Sequence, residues 1–236
     1  MKFYDLHVHS VFSDGESKLE ELAETAKFLG YSGIGFIFYW LGNEENKILE
    51  KRVKDVGKEV GIETFIGYEA RNLKELRILK KRRRNYDILL VSGGNLRLNR
   101  IACETPEVDI LAHPNLGRKD AGINHIMAKL ARENSTAIEI NFSLLKTKEK
   151  TLVIKQFAEI IKICTKYDCN LIFSSGAFSK FDLKDPKVLI SLGRVLGLEL
   201  KEAKSCVSLI PQSIIKKIKE RRSEKWIMPG VKVLKW

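Results

Sequence analysis

The sequence predicts an α/β barrel with about seven parallel strands, and three observations carry that expectation. Short β-branched apolar runs alternate with longer amphipathic stretches, the pattern of a parallel sheet covered on its faces. These units recur roughly every 20 to 35 residues, which suits a closed TIM-like barrel better than an open sheet. No linker, low-complexity block or internal repeat divides the chain, so residues 1–210 read as one barrel domain. Residues 211–236 read as a basic C-terminal helix and an apolar tail packed on that domain.

The strands are expected at 3–8, 33–38, 63–68, 87–91, 109–112, 137–141 and 170–173. After the first, Leu19, Leu22, Ala23 and Ala26 share one helical face, and Ser17 with Glu20 forms a capping-box signature ahead of them. Gly30 and Gly61 stand where helix C-termini would end. Within 71–84, Leu73, Leu76 and Leu79 oppose basic residues at a near three-residue step, so the segment reads as a striped helix or as an extended basic loop. Arg97 and Arg100 lie on one side of the helix after the fourth strand. A later helix carries Ile154, Phe157, Ala158 and Ile161 on one face. Trp226, Ile227, Met228, Val231, Val233, Leu234 and Trp236 make the apolar tail, which either folds back on the barrel or meets a protein partner.

Hydrophobic residues make up 44% of the 236, enough for a core, which excludes a mainly disordered chain. No uninterrupted apolar run approaches the length of a membrane span, and residues 1–9 read as a strand rather than an export signal. A cytoplasmic location without a membrane partner is expected. Cys103, Cys164, Cys169 and Cys206 show no C-x-x-C spacing, which argues against a zinc ribbon or a disulfide scaffold.

The net charge of +12 is unevenly placed. Residues 71–84 hold Arg71, Lys74, Arg77, Lys80, Lys81, Arg82, Arg83 and Arg84 against Glu75 alone. Residues 211–236 hold eight basic residues against Glu220 and Glu224, and the remainder of the chain is nearly neutral. Two such blocks are either the footprint of a polyanion binder or two solvated faces.

In barrels of this type chemistry collects at the C-terminal strand ends, which here carry His7, His9, Glu69, His113 and Asn141. His7-Val8-His9 places two imidazoles on one face, either the start of a metal site that Asp14 would join or a hydrogen-bonded pair. Ser92-Gly93-Gly94-Asn95 reads as a phosphate cradle or as a tight turn without a ligand. Gly117-Arg118-Lys119-Asp120 extends the positive surface of Arg97 and Arg100. Tyr86, beside the arginine cluster, either stacks on a base or caps the core. Trp40 reads as packing at the barrel rim, and His125 as structural or exposed.

Asp5-Leu6-His7-Val8-His9-Ser10 with Ser13-Asp14-Gly15 resembles the opening motif of the polymerase and histidinol phosphatase (PHP) domain. Gly67-Tyr68-Glu69 resembles its third-strand glutamate motif, Ala112-His113-Pro114 its His-Pro motif, and Ile138-Glu139-Ile140-Asn141 a later strand. The resemblance implies a distorted, TIM-like PHP-type barrel and a cluster of metal ions that hydrolyses phosphoesters. Phe38-Tyr39 stand where that family has an Asp-His pair, and Ser175-Gly176-Ala177 where it has a late Asp-x-His. His7, His9, Asp14, Glu69 and His113 are therefore vestigial metal-site candidates, with no metal expected and no catalytic residue assigned. A metal-dependent phosphoesterase using that reduced set is the alternative.

The block from Leu90-Val91-Ser92-Gly93-Gly94-Asn95 to Leu98-Asn99-Arg100 resembles the archaeal ribonuclease P protein component 3 family, which includes the thirty-kilodalton eukaryotic subunit. So do Leu111-Ala112-His113-Pro114, Leu116-Gly117-Arg118-Lys119-Asp120 and Ser174-Ser175-Gly176-Ala177. The likeness spans most of 1–210 and is most specific over 90–143. It implies a subunit of a ribonucleoprotein endonuclease that removes the 5′ leader of precursor tRNA, with Mg2+-dependent catalysis in the RNA. The implied partners are that RNA with its precursor tRNA, protein component 2 and other subunits. This chain would support the RNA rather than cut, with no cofactor of its own. By charge and position, the residues expected to contact RNA are Lys80, Lys81, Arg82, Arg83, Arg84, Arg97, Arg100, Arg118, Lys119, Lys216, Lys217, Arg221 and Arg222.

Overall fold

Seven parallel strands pair in chain order: β1 (Tyr4–Val8), β2 (Gly33–Phe38), β3 (Glu63–Ala70), β4 (Ile88–Ser92), β5 (Ile110–Ala112), β6 (Ala137–Asn141) and β7 (Leu171–Ser174). The computed structural model describes residues 1–223, 226–228 and 231–233. The ring closes where Val8 bridges Ala177 and the His9 N–H donates to the Ala177 carbonyl at 2.8 Å. Lower on the same seam the Tyr4 N–H turns to the Val207 carbonyl at 3.0 Å, so β1 and β7 meet at their C-terminal ends only.

The helices are α1 (Leu19–Phe28), α2 (Asn43–Val60), α3 (Leu73–Lys81), α4 (Leu96–Glu104), α5 (His125–Asn134), α6 (Lys150–Lys166), α7 (Pro186–Val195), α8 (Leu200–Cys206) and α9 (Leu209–Arg221). A short antiparallel pair follows, β8 (Trp226–Met228) and β9 (Val231–Lys232). Leu234 and Trp236 of the expected apolar tail lie outside the described residues. The α1 start differs from expectation by one residue. Glu21, not Glu20, accepts from the Lys18 N–H at 3.1 Å, and the Ser17 hydroxyl accepts from the Lys180 N–H at 3.0 Å instead. Gly30 and Gly61 do end helices, at φ of 88° and 73°, where a Cβ would be strained.

Strand alternation splits the apolar residues into two sets. Ile34, Phe36, Phe38, Ile66, Tyr68, Leu89 and Val91 face outward and pack under Leu22, Val53 and Leu76 of the helices. Tyr4, Leu6, Ile37, Phe65, Ile88, Leu90, Ile110, Ala112, Ala137 and Ile172 come from every strand and fill the barrel lumen. That lumen is narrow. A Cβ on Gly35 would meet Ile88 and Leu6 at 2.9 Å, so only glycine lets Leu6 and Ile88 close over this position.

Ile214, Ile215 and Ile218 of α9 belong to the same interior cluster. Gln212, Lys217 and Arg221 bond to the Lys2, Ser135 and Asp87 carbonyls, all of which precede strands. The helix therefore stoppers the N-terminal end of the barrel, and its three isoleucines contribute about 2 kcal/mol each by leaving water. The basic helix expected within 211–236 begins two residues earlier, at Leu209, and its isoleucines complete the barrel core.

The clamp on this stopper overturns two expected RNA contacts. Arg83 and Arg221 are 4% and 6% exposed, and both bind Asp109, which is fully buried. Arg221 is bidentate, with Nη1 to Oδ1 at 2.9 Å and Nη2 to Oδ2 at 3.1 Å. Arg83 also reaches the Glu107, Tyr86 and Asp87 carbonyls at 2.9 to 3.2 Å. Burial alone would raise the Asp109 pKa, but the two guanidiniums outweigh it and hold the carboxyl below its usual range. These arginines have no free donor face to offer a phosphate.

Candidate functional site

At the opposite, C-terminal mouth, Glu139 is the centre of a buried polar cluster. It points inward from β6, two residues beyond Ala137 of the lumen, and is fully buried. His7 Nδ1 lies 2.7 Å from Glu139 Oε1, to which the Ser174 hydroxyl also donates. Oε2 accepts from the His113 N–H at 3.0 Å and from Asn141 Nδ2 at 3.3 Å. On the other side of His7, its Nε2 faces His9 Nε2 at 3.1 Å, and His9 Nδ1 meets the Ser13 hydroxyl at 3.2 Å. Glu69 Oε1 stands 3.5 Å from His113 Nε2. His113 has φ 30°, outside the usual region for a β-carbon residue, and its Nδ1 is buried without a hydrogen-bond partner.

The electrostatics follow from these contacts. Burial opposes charge on His7, yet the carboxylates of Glu139, Glu69 and Asp5 override it and raise its pKa to about 9. Burial and the neighbouring His7 push His9 down to about 4. Burial would raise Glu69 and Glu139, but their imidazole neighbours bring both down to about 2. Asp5, buried under the closing bridge, rises to about 6 despite accepting from the Ser175 and His7 amides.

Ligand atoms of His7, His9 and Glu69 lie within 4.8 Å of one another. The Nδ1 atoms are engaged by Glu139 and Ser13, which leaves the two Nε2 atoms, 3.1 Å apart, as the ones an ion would meet. This donor set fits one small divalent ion. It does not fit a cluster of several. Asp14 is exposed and held by the Tyr39 hydroxyl at 2.5 Å, while Phe38, Ser174 and Ser175 supply no anionic ligand. Of the five vestigial candidates, the structure thus unites His7, His9, Glu69 and His113 and leaves Asp14 at the rim. Glu139 was legible only as a strand residue. The signal for it was one acid on the lumen register of an otherwise apolar strand.

The Gly93-Gly94 turn holds protein rather than phosphate: its two amides donate to the Ala112 and Pro114 carbonyls at 2.9 and 3.2 Å. A Cβ at Gly93 or Gly94 would strike the next strand-end loop at 2.5 Å, so these glycines exist to let two loops touch. Arg118 is folded onto Asp120 with two bonds of 2.6 Å and onto the Gly94 carbonyl at 3.2 Å. Arg100 pairs with Glu104 at 2.8 Å and Lys80 with Glu107 at 3.4 Å. Arg222 bridges Glu50 and Asp87 at 3.1 and 2.8 Å, and Lys217 reaches the Ser135 carbonyl at 3.0 Å. Lys81, Arg84, Arg97, Lys119 and Lys216 are exposed, and Arg82 is half-buried against Trp40. Tyr86 is buried and its hydroxyl donates to the Leu79 carbonyl at 2.9 Å, which makes it a core residue.

A parallel barrel closed at its C-terminal rim, with paired histidines, a glutamate and a His-Pro turn at the mouth, is a barrel of the PHP class. It aligns over 92% of its length with histidinol phosphate phosphatase from Lactococcus lactis (94% of that chain) at a TM-score of 0.57 and 13% identity, a likeness of fold. The family profile described as RNase P subunit p30 matches residues 2–223, and the chain belongs to that family. Ribonuclease P protein component 3 of Methanosarcina mazei is 36% identical over 99% of this chain and 96% of its own. The Methanothermobacter thermautotrophicus protein is 33% identical over 91% and 89%. A chain in the cryo-EM structure of archaeal ribonuclease P with mature tRNA matches at a TM-score of 0.79 and 29% identity, covering 98% of both chains. Among the described residues no helix is long and apolar enough to cross a membrane.

Proposed function

We infer that this chain works as a protein subunit of ribonuclease P, bound to the catalytic RNA and to other protein subunits during 5′ maturation of tRNA. The observation that carries this is the end-to-end match to a chain of an archaeal ribonuclease P particle holding tRNA. The exposed cations Lys81, Arg84, Arg97, Lys119 and Lys216, with the half-buried Arg82, offset RNA phosphates in place of diffuse ions. The phosphodiester is cut by the RNA with its Mg2+, in the cytoplasm, and component 2 is the expected protein neighbour. His7, His9 and Glu69 are the residues that would hold a divalent ion, which there would polarise a phosphoryl oxygen or activate water. Most of their polar atoms are instead bonded to one another and to Glu139, which supports a role in holding the mouth together.

Reconstitution tests this reading. Ribonuclease P RNA assembled with the other protein subunits should cleave precursor tRNA poorly at low magnesium without this chain and efficiently with it. Equal cleavage with and without the chain would reject it. The phosphoesterase alternative rests on the His7–His9–Glu69 cluster and requires metal-dependent turnover by the isolated chain that His9→Ala abolishes.

A further inference from the structure

A groove of about 490 Å³ lies on the outer wall of the barrel between the first turns of α2 and the turn joining α3 to β4. Trp40 forms one wall. It is half-exposed and braced edge-on by Tyr68, with ring centroids 5.3 Å apart. The Arg82 guanidinium lies over the indole at 5.1 Å, and its Nε donates to Asn43 Oδ1 at 3.1 Å. Arg84, on the same turn, donates to the Trp226 carbonyl and lies over that ring at 4.9 Å.

The groove is cationic in effect. Among the described residues no carboxylate pairs with Arg82 or Arg84. Its acidic members are already neutralised: Glu44 by Lys47 at 3.1 Å, and Glu50 by Lys54 and Arg222 at 2.9 and 3.1 Å. A second observation points to a ligand. Asn46 lines the groove, is only 6% exposed, and has an Oδ1 that lacks a hydrogen-bond partner, while its Nδ2 donates to the Gly42 carbonyl. A buried acceptor left unpaired is costly, so a donor in the groove is favoured once the Asn46 side chain turns to meet it.

An aromatic platform, two guanidiniums without counter-charges and one amide acceptor are the complement of a single unpaired nucleotide. The Arg82 guanidinium turns from the indole to the phosphate beside Arg84, the base stacks on the ring face it leaves, and an exocyclic amine or ribose hydroxyl donates to the amide. A duplex offers no base face for the indole. Tryptophan and arginine also anchor protein interfaces, but a concave groove with unneutralised guanidiniums favours the nucleotide.

We propose that this groove holds an unpaired nucleotide of the RNA partner, with its base against Trp40 and its phosphate on Arg82 and Arg84. The inference rests on the reading of the chain as an RNA-binding subunit and adds that single-stranded RNA is recognised at this edge.

The test uses the full-length chain with oligouridylate about ten nucleotides long and a duplex of equal length, at fixed salt. Trp40→Ala should weaken oligouridylate binding by about 5- to 150-fold, the loss of one stacked base, and Trp40→Phe should recover most of it. Asn46→Leu, of similar size, should weaken it several-fold with no loss of Tm. Duplex affinity should not change in any of the three. In the assembled particle, ultraviolet crosslinking should place a nucleotide adduct on Trp40. If folded Trp40→Ala and Asn46→Leu both bind oligouridylate like the parent, the groove proposal is overturned. If Arg82→Ala with Arg84→Ala then still weakens both RNAs, the underlying RNA-binding reading survives. Loss confined to capture of a purified protein subunit assigns the groove to a protein and overturns the proposal. A parent chain that binds neither RNA, alone or in the particle, removes the underlying reading instead.

Discussion

The two ends of this barrel each bury acidic groups against basic ones, and they do opposite things with them. At the N-terminal end Asp109 is gripped by Arg83 and Arg221, and the isoleucines of α9 seal the opening. At the C-terminal end Glu139 and Glu69 meet imidazoles, and His113 Nδ1 is left unpaired. The difference lies in the cation. A guanidinium stays charged at any accessible pH, so the lower cluster is a permanent clamp. An imidazole can shed its proton, so the upper cluster can respond to pH or accept an ion. The charge available at the surface is smaller than the composition implies, because Arg83 and Arg221 are spent on the clamp.

The largest predicted effect breaks the clamp. Asp109→Ala leaves two buried guanidiniums unpaired and should cost about 3–5 kcal/mol, read by denaturant unfolding. A loss under about 1 kcal/mol would mean that water reaches the arginines and α9 is not a sealed stopper. Breaking the upper cluster should cost less. His7→Ala strands Glu139 and should cost about 1–3 kcal/mol, while cleavage by the reconstituted particle stays near the parent level. A collapse of cleavage in a folded His7→Ala variant would make the mouth functional rather than structural.

The pH response should separate the ends further. In the fold His7 is raised from 6.5 to about 9, so the native chain keeps a proton that the unfolded chain releases. The stability it contributes is complete below pH 6.5 and is lost as pH rises toward 9. With chelator present, Tm should fall across that window, and His7→Asn should flatten the fall. The smallest effects belong to exposed cations outside both clusters. Arg97→Ala and Lys119→Ala should each lower the salt slope of RNA binding by about 1 and change stability by less than about 0.5 kcal/mol.

Seven strands and the shared face of His7 and His9 were legible because strand alternation is a period-two signal within one segment. The region 71–84 was legible only in part. Leu76 and Leu79 do bury a helix face, but the same stretch holds a buried arginine, Arg83, beside exposed Lys81 and Arg84. Nothing local distinguishes them, since the partner of Arg83 is 26 residues away and that of Arg221 is 112 away.

By itself, then, the sequence determined the barrel, the family motifs and the loss of anionic ligands at positions 38 and 175, because each is written in residues close together in the chain. Only the tertiary structure decided which cations remain free, that α9 is a stopper, that Glu139 orients His7, and that Trp40 lines a groove with Arg82. Those outcomes depend on distant groups meeting in a low-dielectric interior, where a charge is kept only if its partner arrives.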